Sequence, residues 1–179
     1  RFDLVAPDGA VVSVLDYGAV VLEVHVPDRK GVLTNVALGH PTLAGYETNA
    51  PYFGAFVGRT AGRTAGTPFE LDGREVRLHP NERGVHLHGG PGGFHRKLFD
   101  ADTEVGLDGE ALVVLSRTSP DGEDGYPGNL DVEVRVGWSE DHVLRIEADA
   151  YGDAPTPASF THHGAWNLAG EGVGNVAMH

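Results

Sequence analysis

Apolar and polar residues alternate along two stretches of the chain, residues 131–138 and 144–150. In the first stretch, three valines and a tryptophan share one face, and Asp131, Glu133 and Arg135 share the other. This period of two is typical of half-buried β-strands, because successive side chains of a strand point to opposite faces of its sheet. A Ser-Glu-Asp-His turn joins the two stretches, so the pattern predicts neighbouring antiparallel strands.

The same alternation predicts three strands nearer the start of the chain. Residues 11–15 and 20–26 form the first two, around a turn at residues 16–18, and residues 32–38 form the third. The polar residues of the second strand fall on one face, and the residues expected on the opposite, apolar face are Val20, Leu22, Val24 and Val26.

Turn-forming residues divide the middle of the chain into short segments. Residues 69–78 predict a hairpin, because an Asp-Gly turn at residues 72–73 separates two alternating runs. Residues 112–116 predict a buried strand, and residues 119–128 predict a long ordered loop. Helical spacing is scarce, and residues 43–51 are expected to form a loop or a short helix. The sequence therefore predicts an all-β fold, an antiparallel β-sandwich of one domain.

Charge and composition restrict the partners of this domain. The formal net charge is −13, and no run of Lys or Arg offers the basic patch that nucleic acids or anionic membranes need. We therefore expect neither a nucleic acid nor a membrane as partner. The absence of cysteine excludes disulfides, thiolate catalysis and cysteine-ligated zinc. Because no apolar run has the length of a membrane span and no leader pattern opens the chain, we expect a soluble, cytoplasmic protein.

Candidate chemistry is concentrated in residues 84–96, where His86, His88 and His95 surround a turn rich in Gly and Pro. His86 and His88 are two positions apart, so on an extended chain both side chains are expected on one face. A neutral imidazole there can hydrogen-bond a sugar oxygen or move a proton near neutral pH. The alternative is a glycine-rich turn whose histidines are only polar surface residues.

Arg63, His88 and His163 form the candidate polar constellation. An arginine offers a fork of donors that can hold sugar hydroxyls, and aromatic rings suit the apolar faces of a pyranose. The aromatic residues nearby in the sequence are Tyr52, Phe53, Phe94 and Trp166. Arg59 and Arg63 both lie in a glycine-rich segment, and the alternative for one of these two arginines is an ion pair with a carboxylate.

A metal site is the chemical competitor of this interpretation. His86 and His88, joined by His162 or His163 and a carboxylate, would supply the nitrogen and oxygen ligands that zinc prefers. However, the chain lacks the His-Glu-x-x-His pattern of a helical zinc site, and His-x-His pairs are common without a metal. We therefore expect no metal and no cofactor.

A series of short motifs follows in order along nearly the whole chain. They are DYGA (16–19), VPDR (26–29), YFGA (52–55), GRTAGR (58–63), LHGG (87–90), GF (93–94), SPDG (119–122), GYPGNL (125–130) and WNLAG (166–170). In these motifs the chain resembles the aldose 1-epimerase (galactose mutarotase) family.

The resemblance implies a large β-sandwich of the galactose mutarotase type that interconverts the α and β anomers of a hexose such as galactose or glucose. A base takes the proton of the anomeric hydroxyl, an acid protonates the ring oxygen, and the ring opens and closes again. By this resemblance His163 is the proton donor, His88 is a second catalytic histidine near the ring oxygen, and Arg63 binds sugar hydroxyls. The neighbouring residues expected to contact the sugar are Gly62, His162 and Phe53.

The chain departs from the family's pattern in two ways. Gly62 stands where the family usually has asparagine, which removes an amide that could contact substrate. The chain also covers about the first half of the family's usual length, whereas the family's catalytic glutamate and a sugar-binding aspartate lie in the second half. We therefore expect residues 1–179 to form one incomplete, truncated domain with little activity by itself, and residues 173–179 to enter a further strand.

Several interpretations stay open at this point. Uncovered strands of an incomplete sandwich favour self-association. The first hypothesis for function is an aldose 1-epimerase. The second is a carbohydrate-binding protein on the same scaffold without catalysis, because the glutamate is missing. A relative that acts on a hexose phosphate is a third, which the acidic charge disfavours.

Overall fold

The computed structural model describes residues 1–48, 51–106 and 109–169. The strands, in chain order, are β1 (Phe2–Val5), β2 (Val11–Leu15), β3 (Val20–Pro27), β4 (Leu33–Asn35), β5 (Phe56–Val57), β6 (Arg63–Thr64), β7 (Phe69–Leu71), β8 (Arg74–Val76), β9 (His86–Leu87), β10 (Asp100–Val105), β11 (Ala111–Ser119), β12 (Leu130–Trp138), β13 (Leu144–Gly152) and β14 (Thr161–His162). The other regular elements are helix α1 (Leu43–Thr48) and the 3-10 turns Phe94–Arg96 and Glu123–Gly125.

Two four-stranded antiparallel sheets form the body of the molecule, in the spatial orders β1-β2-β3-β4 and β10-β11-β12-β13. Each is a meander, in which strands that follow one another in the chain pair with one another. Side chains from both sheets, such as Val12 and Val134, share one hydrophobic core. The Trp138 indole N–H donates to the carbonyl of Ala10 at 3.4 Å. The architecture is therefore the predicted all-β sandwich.

Most predicted strands are confirmed. The alternating residues 131–138 and 144–150 lie in β12 and β13, and residues 11–15 are β2. The hairpin at residues 69–78 is β7 and β8, joined by Asp72 and Gly73, which both have a positive φ. The alternation did not predict β1 and β10 of the two large sheets, nor the two-residue strands β5, β6, β9 and β14.

The face assignment predicted for β3 is wrong at its beginning. A β-bulge shifts the pairing of β2 with β3 between Ser13 and Val14, and such a shift moves side chains to the other face. Val21 therefore lies in the main core with Val24. Val20 instead packs in a separate small cluster together with the aromatic residue of α1.

β4 (Leu33–Asn35) is shorter than the strand predicted at residues 32–38. The side chain of Asn35 accounts for its end, because Oδ1 accepts hydrogen bonds from the backbone N–H groups of Val24 and Ala37 at 3.0 Å each. The Asn35 side chain thus occupies the Val24 N–H of β3, which a longer β4 would use for strand pairing. After β4, Ala37 forms an isolated antiparallel β-bridge with Trp166, in the segment that follows β14.

The expectation for residues 43–51 is met by α1 (Leu43–Thr48). The predicted strand entry at residues 173–179 lies outside the described residues. No helix in the described part of the chain is long and apolar enough to cross a membrane.

Candidate active site

Two short strand pairs bring distant segments of the chain together. β6 pairs with β9, which places Arg63 opposite Leu87, and β5 pairs with β14, which places Phe56 opposite His162. A stack of aromatic rings with centroids 5.5 to 6.3 Å apart packs between these pairs; its members are Phe56, Phe94 and Phe160. The segments that carry the predicted site residues are therefore fixed by backbone pairing and by aromatic packing.

His88 directly follows β9 and has a left-handed backbone conformation, with φ of 50°. Its backbone N–H donates to the carbonyl of Gly62 at 3.0 Å, and its ring Nδ1 accepts from the backbone N–H of Gly62 at 3.1 Å. Because Nδ1 is an acceptor, the neutral ring carries its proton on Nε2. The site thus contains an imidazole with a fixed tautomer, whose Nε2–H donates to no residue that the structure describes.

His163 follows β14 and is held by backbone hydrogen bonds to the loop before β5. Its N–H donates to the carbonyl of Ala55 at 2.8 Å, and its carbonyl accepts from the N–H of Gly54 at 3.0 Å. The His88 and His163 ring centroids are 5.2 Å apart, with the ring planes at 85°. Neither ring nitrogen of His163 hydrogen-bonds to a residue that the structure describes. The two predicted catalytic histidines therefore lie side by side.

The surroundings of His88 favour its neutral form. Burial is the main cause that lowers its pKa, and the nearby His163 and Arg63 lower it further, while Glu82 opposes them. A buried imidazole resists protonation because the charged form loses its hydration. At neutral pH His88 is therefore a hydrogen-bond donor through Nε2 rather than a cation.

Arg63 lies beside these histidines and pairs with Glu82. Its Nε and Nη2 donate to the two carboxylate oxygens of Glu82 at 2.6 and 3.0 Å. This confirms the carboxylate partner expected for one of the two arginines of the segment. The bidentate contact fixes the plane of the guanidinium, and Nη1 makes no hydrogen bond to a residue that the structure describes. Binding of sugar by Arg63 stays a prediction.

Gly62 has a φ of 77°, and a side chain added at this position would meet no atom within 4 Å. The backbone of Gly62, rather than a side chain, contacts His88. Asparagine tolerates the left-handed conformation better than most residues. Crowding therefore does not explain why the family's asparagine is absent here.

His162 holds the loop at residues 52–55 in place. Its Nε2 donates to the carbonyl of Gly54 at 3.0 Å. Burial lowers the pKa of His162 to about 4, although the hydrogen bond to Gly54 opposes this effect. The ring is therefore neutral at pH 7. Contact of His162 with substrate stays a prediction, and one of its two nitrogens is already used by the protein.

The aromatic pair Tyr52 and Phe53 lies at the tip of the same loop. The Phe53 ring packs against His40, with centroids 5.4 Å apart. The Tyr52 ring contacts both His88 and His163, at 4.8 and 5.7 Å. Sequence reasoning placed Phe53 among the sugar contacts and Tyr52 only beside them, whereas the structure puts Tyr52 against the histidines. Contact of Phe53 with sugar stays a prediction.

The expectation that His86 and His88 share one face is wrong. The left-handed conformation of His88 ends the extended chain after β9, so the two rings diverge. His86 is fully buried, where Nδ1 donates to the carbonyl of His79 at 2.7 Å and Nε2 accepts from the Tyr126 hydroxyl at 2.6 Å. The Tyr126 hydroxyl in turn accepts a hydrogen bond from the Thr60 hydroxyl at 2.5 Å. His86 therefore anchors the loops behind the site.

The metal alternative required His86 and His88 on one face. Within residues 1–48, 51–106 and 109–169, no group of three or more His, Asp or Glu side chains is arranged to hold a metal ion. His86 and His88 therefore do not form the pair on one face that this alternative needs.

The sequence model of the aldose 1-epimerase family matches residues 1–179. The chain belongs to this family. Among curated relatives, it is 39% identical to galactose mutarotase from Bos taurus over 168 residues, which cover 94% of this chain and 47% of the relative. It is 39% identical to maltose epimerase from Levilactobacillus brevis, covering 94% of this chain and 49% of that one.

Other relatives and solved structures agree with this membership. The chain is 33% identical to aldose 1-epimerase from Escherichia coli, covering 91% of this chain and 46% of that one. An aldose epimerase homologue from C. elegans superimposes with a TM-score of 0.85 at 28% identity, covering 93% and 50% of the two chains. Galactose 1-epimerase from Lactobacillus acidophilus gives a TM-score of 0.81 at 28% identity, covering 93% and 48%. This member of the aldose 1-epimerase family spans about half the length of the curated relatives it matches.

Proposed function

We propose that this aldose 1-epimerase chain binds a hexose such as galactose or glucose and contributes the histidines that interconvert its α and β anomers. The observation that carries the proposal is the juxtaposition of His88 and His163, with ring centroids 5.2 Å apart. Positioned acid–base groups of this kind contribute roughly 100- to 10,000-fold to a proton-transfer step.

The two rings suit the two demands of ring opening. His88 is neutral with its proton on Nε2 and can donate a hydrogen bond to the ring oxygen of the sugar, which gains charge as the ring opens. His163 has both ring nitrogens available and can give the proton. The free Nη1 of Arg63 can bind a sugar hydroxyl while Glu82 holds the guanidinium still.

Two glutamates of the described residues, Glu82 and Glu123, are engaged by other side chains. The hydrogen bond from Arg63 lowers the pKa of Glu82. Burial opposes a lower pKa at Glu123, but hydrogen bonds from Lys97, Ser119 and Arg117 outweigh it. A carboxylate with a lowered pKa is a weaker base. We therefore assign proton donation and sugar binding to this chain and the base to a carboxylate outside the described residues.

Titration calorimetry and polarimetry test the proposal. We expect D-galactose or D-glucose to bind the chain, and Arg63→Ala to weaken that binding about tenfold or more, because a charged donor to a hydroxyl is lost. Arg77→Ala is the matched control, since Arg77 pairs with Glu75 away from the histidines. The absence of sugar binding at any accessible concentration would contradict the proposal.

A second candidate function is carbohydrate binding without catalysis, favoured by the engagement of Glu82 and Glu123. Polarimetry of freshly dissolved α-D-galactose separates the two functions. A chain-dependent acceleration that His88→Ala and His163→Ala each abolish supports catalysis. If the chain binds sugar but does not accelerate mutarotation even when a base is added, the second function is assigned instead.

A further inference from the structure

The Tyr52 ring is the common neighbour of three histidines. Its centroid lies 4.8 Å from His88, 4.6 Å from His95 and 5.7 Å from His163. The contacts with His88 and His95 are edge-on, at 63° and 64°, which is a favourable geometry for aromatic rings. The ring of Tyr52 therefore lies between the two histidines of the site and a third histidine that the proposed function does not use.

The backbone places this ring at a conformational cost. Tyr52 has a φ of 58° and His88 a φ of 50°, so both residues of the contact are in the left-handed region. This conformation is unfavourable for a residue that has a Cβ atom. Such a conformation persists only where the surrounding structure imposes it. In Tyr52 and His88 it accompanies the contact between their two rings.

His95 packs on another part of the Tyr52 ring. It is 4% exposed and lies in the 3-10 turn Phe94–Arg96, which the aromatic stack anchors. Its Nδ1 is buried without a hydrogen-bond partner among the described residues. Burial, with smaller contributions from Arg96 and His88, lowers the pKa of His95 to about 4. At neutral pH His95 is therefore an uncharged, rigidly packed ring.

We propose that Tyr52 is a positioning residue that holds the imidazoles of His88 and His163 in their mutual geometry, and that buried His95 keeps the Tyr52 ring in place. The proposal deepens the proposed function and rests on it for its catalytic meaning. Its structural content, the dependence of His88 on the Tyr52 ring, stands independently of turnover.

Nuclear magnetic resonance of ¹⁵N-labelled histidine rings tests that dependence in the whole chain. In Tyr52→Leu we expect the pKa of His88 to rise towards its ordinary value, because water reaches the imidazole when the aromatic ring is removed. Tyr52→Phe retains the ring and should leave the pKa and the Nε2–H tautomer of His88 unchanged. Tyr151→Leu removes an exposed tyrosine ring elsewhere and is the matched control.

Two results would overturn the proposal. In one, Tyr52→Leu leaves the titration and tautomer of His88 as they are in the unaltered chain. In the other, Tyr52→Phe changes them as much as Tyr52→Leu does, which would assign the role to the hydroxyl. Circular dichroism identifies an unfolded variant, and the Tyr52→Phe comparison then still decides between ring and hydroxyl.

His95→Ala tests the supporting contact. We expect it to shift the pKa of His88 in the same direction as Tyr52→Leu, and to weaken sugar binding by up to about tenfold through displaced site groups. An unchanged His88 titration would contradict the role of His95. Because the titrations need no sugar, they remain decisive even if the chain proves unable to bind a hexose.

Discussion

Arg59 is a buried arginine whose side chain joins separate loops of the chain. The side chain is 1% exposed and donates six hydrogen bonds. Its acceptors lie in the segments 119–120 and 127–128 and on Thr156. The planar guanidinium matches this set because its donors form a fixed fork. Arg59 thus joins the long loop before β12 to the segment before β14.

We expect Arg59→Lys to lower the free energy of unfolding by about 3 kcal/mol, because an ammonium cannot satisfy all of these buried acceptors. Urea denaturation followed by tryptophan fluorescence measures the change. Arg77→Lys, at an arginine whose side chain is 67% exposed, is the control and should alter stability by less than about 0.5 kcal/mol. Equal stability of the two variants would show that the network contributes little.

His162 makes the stability depend on pH. Its pKa is about 4 in the folded chain and near 6.5 in an unfolded one. The unfolded chain therefore binds a proton that the folded chain does not between these values. The stabilisation is complete above about pH 6.5 and is lost as the pH falls towards 4.

The free energy of unfolding should fall by up to about 1.4 kcal/mol per pH unit for this proton as the pH is lowered from 6.5 to 4.5. In His162→Gln the dependence of the unfolding free energy on pH over this interval should be smaller by the contribution of one proton, up to about 1.4 kcal/mol per pH unit. His25→Gln, at a partly exposed histidine, should retain it. Urea titrations at several pH values give the slopes, and an unchanged slope in His162→Gln would contradict the assignment.

At the scale of elements, alternation of apolar and polar residues was sufficient for the long strands. β12 and β13 follow the pattern because the apolar face of each packs towards the core, while the alternate residues are more exposed. The alternation did not predict β10 because its residues, from Asp100 to Val105, are nearly all exposed. Backbone pairing to β11 defines this strand. The face assignment in β3 failed because a bulge leaves no mark in apolar spacing.

The candidate site was only partly predictable for a related reason. The histidines were found as residue types in a recognisable order, but the separation of His86 from His88 depends on a left-handed residue that is not glycine. The next residue, Gly89, shows how tightly this turn is built, since an added Cβ would lie 1.7 Å from the carbonyl oxygen of Gly58. Contacts such as Tyr52 with His95 arise from tertiary packing, which sequence spacing does not encode.

β13 is an edge of its sheet in the described part of the chain, since it pairs with β12 on one side. Its inner face is only partly covered: Leu144 and Ile146 pack against the core, whereas Ala148 is exposed. An exposed edge with an apolar face can pair with another chain. We therefore predict that the self-association expected from the sequence uses β13.

We expect the chain to form oligomers as its concentration is raised, and Ala148→Lys to shift the population towards monomer by placing a charge on this face. Sedimentation velocity over a concentration series measures both. Ala65→Lys, at an exposed loop position, is the control for the added charge. A chain that stays monomeric throughout, or an Ala148→Lys variant that associates like the unaltered chain, would contradict the prediction.

For the molecule as a whole, the proposed function assigns the proton donor to the described residues and the base to a carboxylate elsewhere. The described residues supply a neutral His88, an available His163 and an Arg63 held by Glu82. The pKa values of Glu82, which pairs with Arg63, and of Glu123 are lowered. A small carboxylate in solution should therefore be able to act as the base.

The most direct test of this account is the mutarotation of α-D-galactose followed by polarimetry in an acetate series at constant pH and ionic strength. After subtraction of a protein-free blank, the rate with the unaltered chain should rise with acetate concentration. His88→Ala and His163→Ala should each lower that increment about 100-fold or more, while His25→Ala should not. An acetate dependence that is the same with the chain, with either variant and in the blank would contradict the assignment of His88 and His163 as the proton-transferring pair.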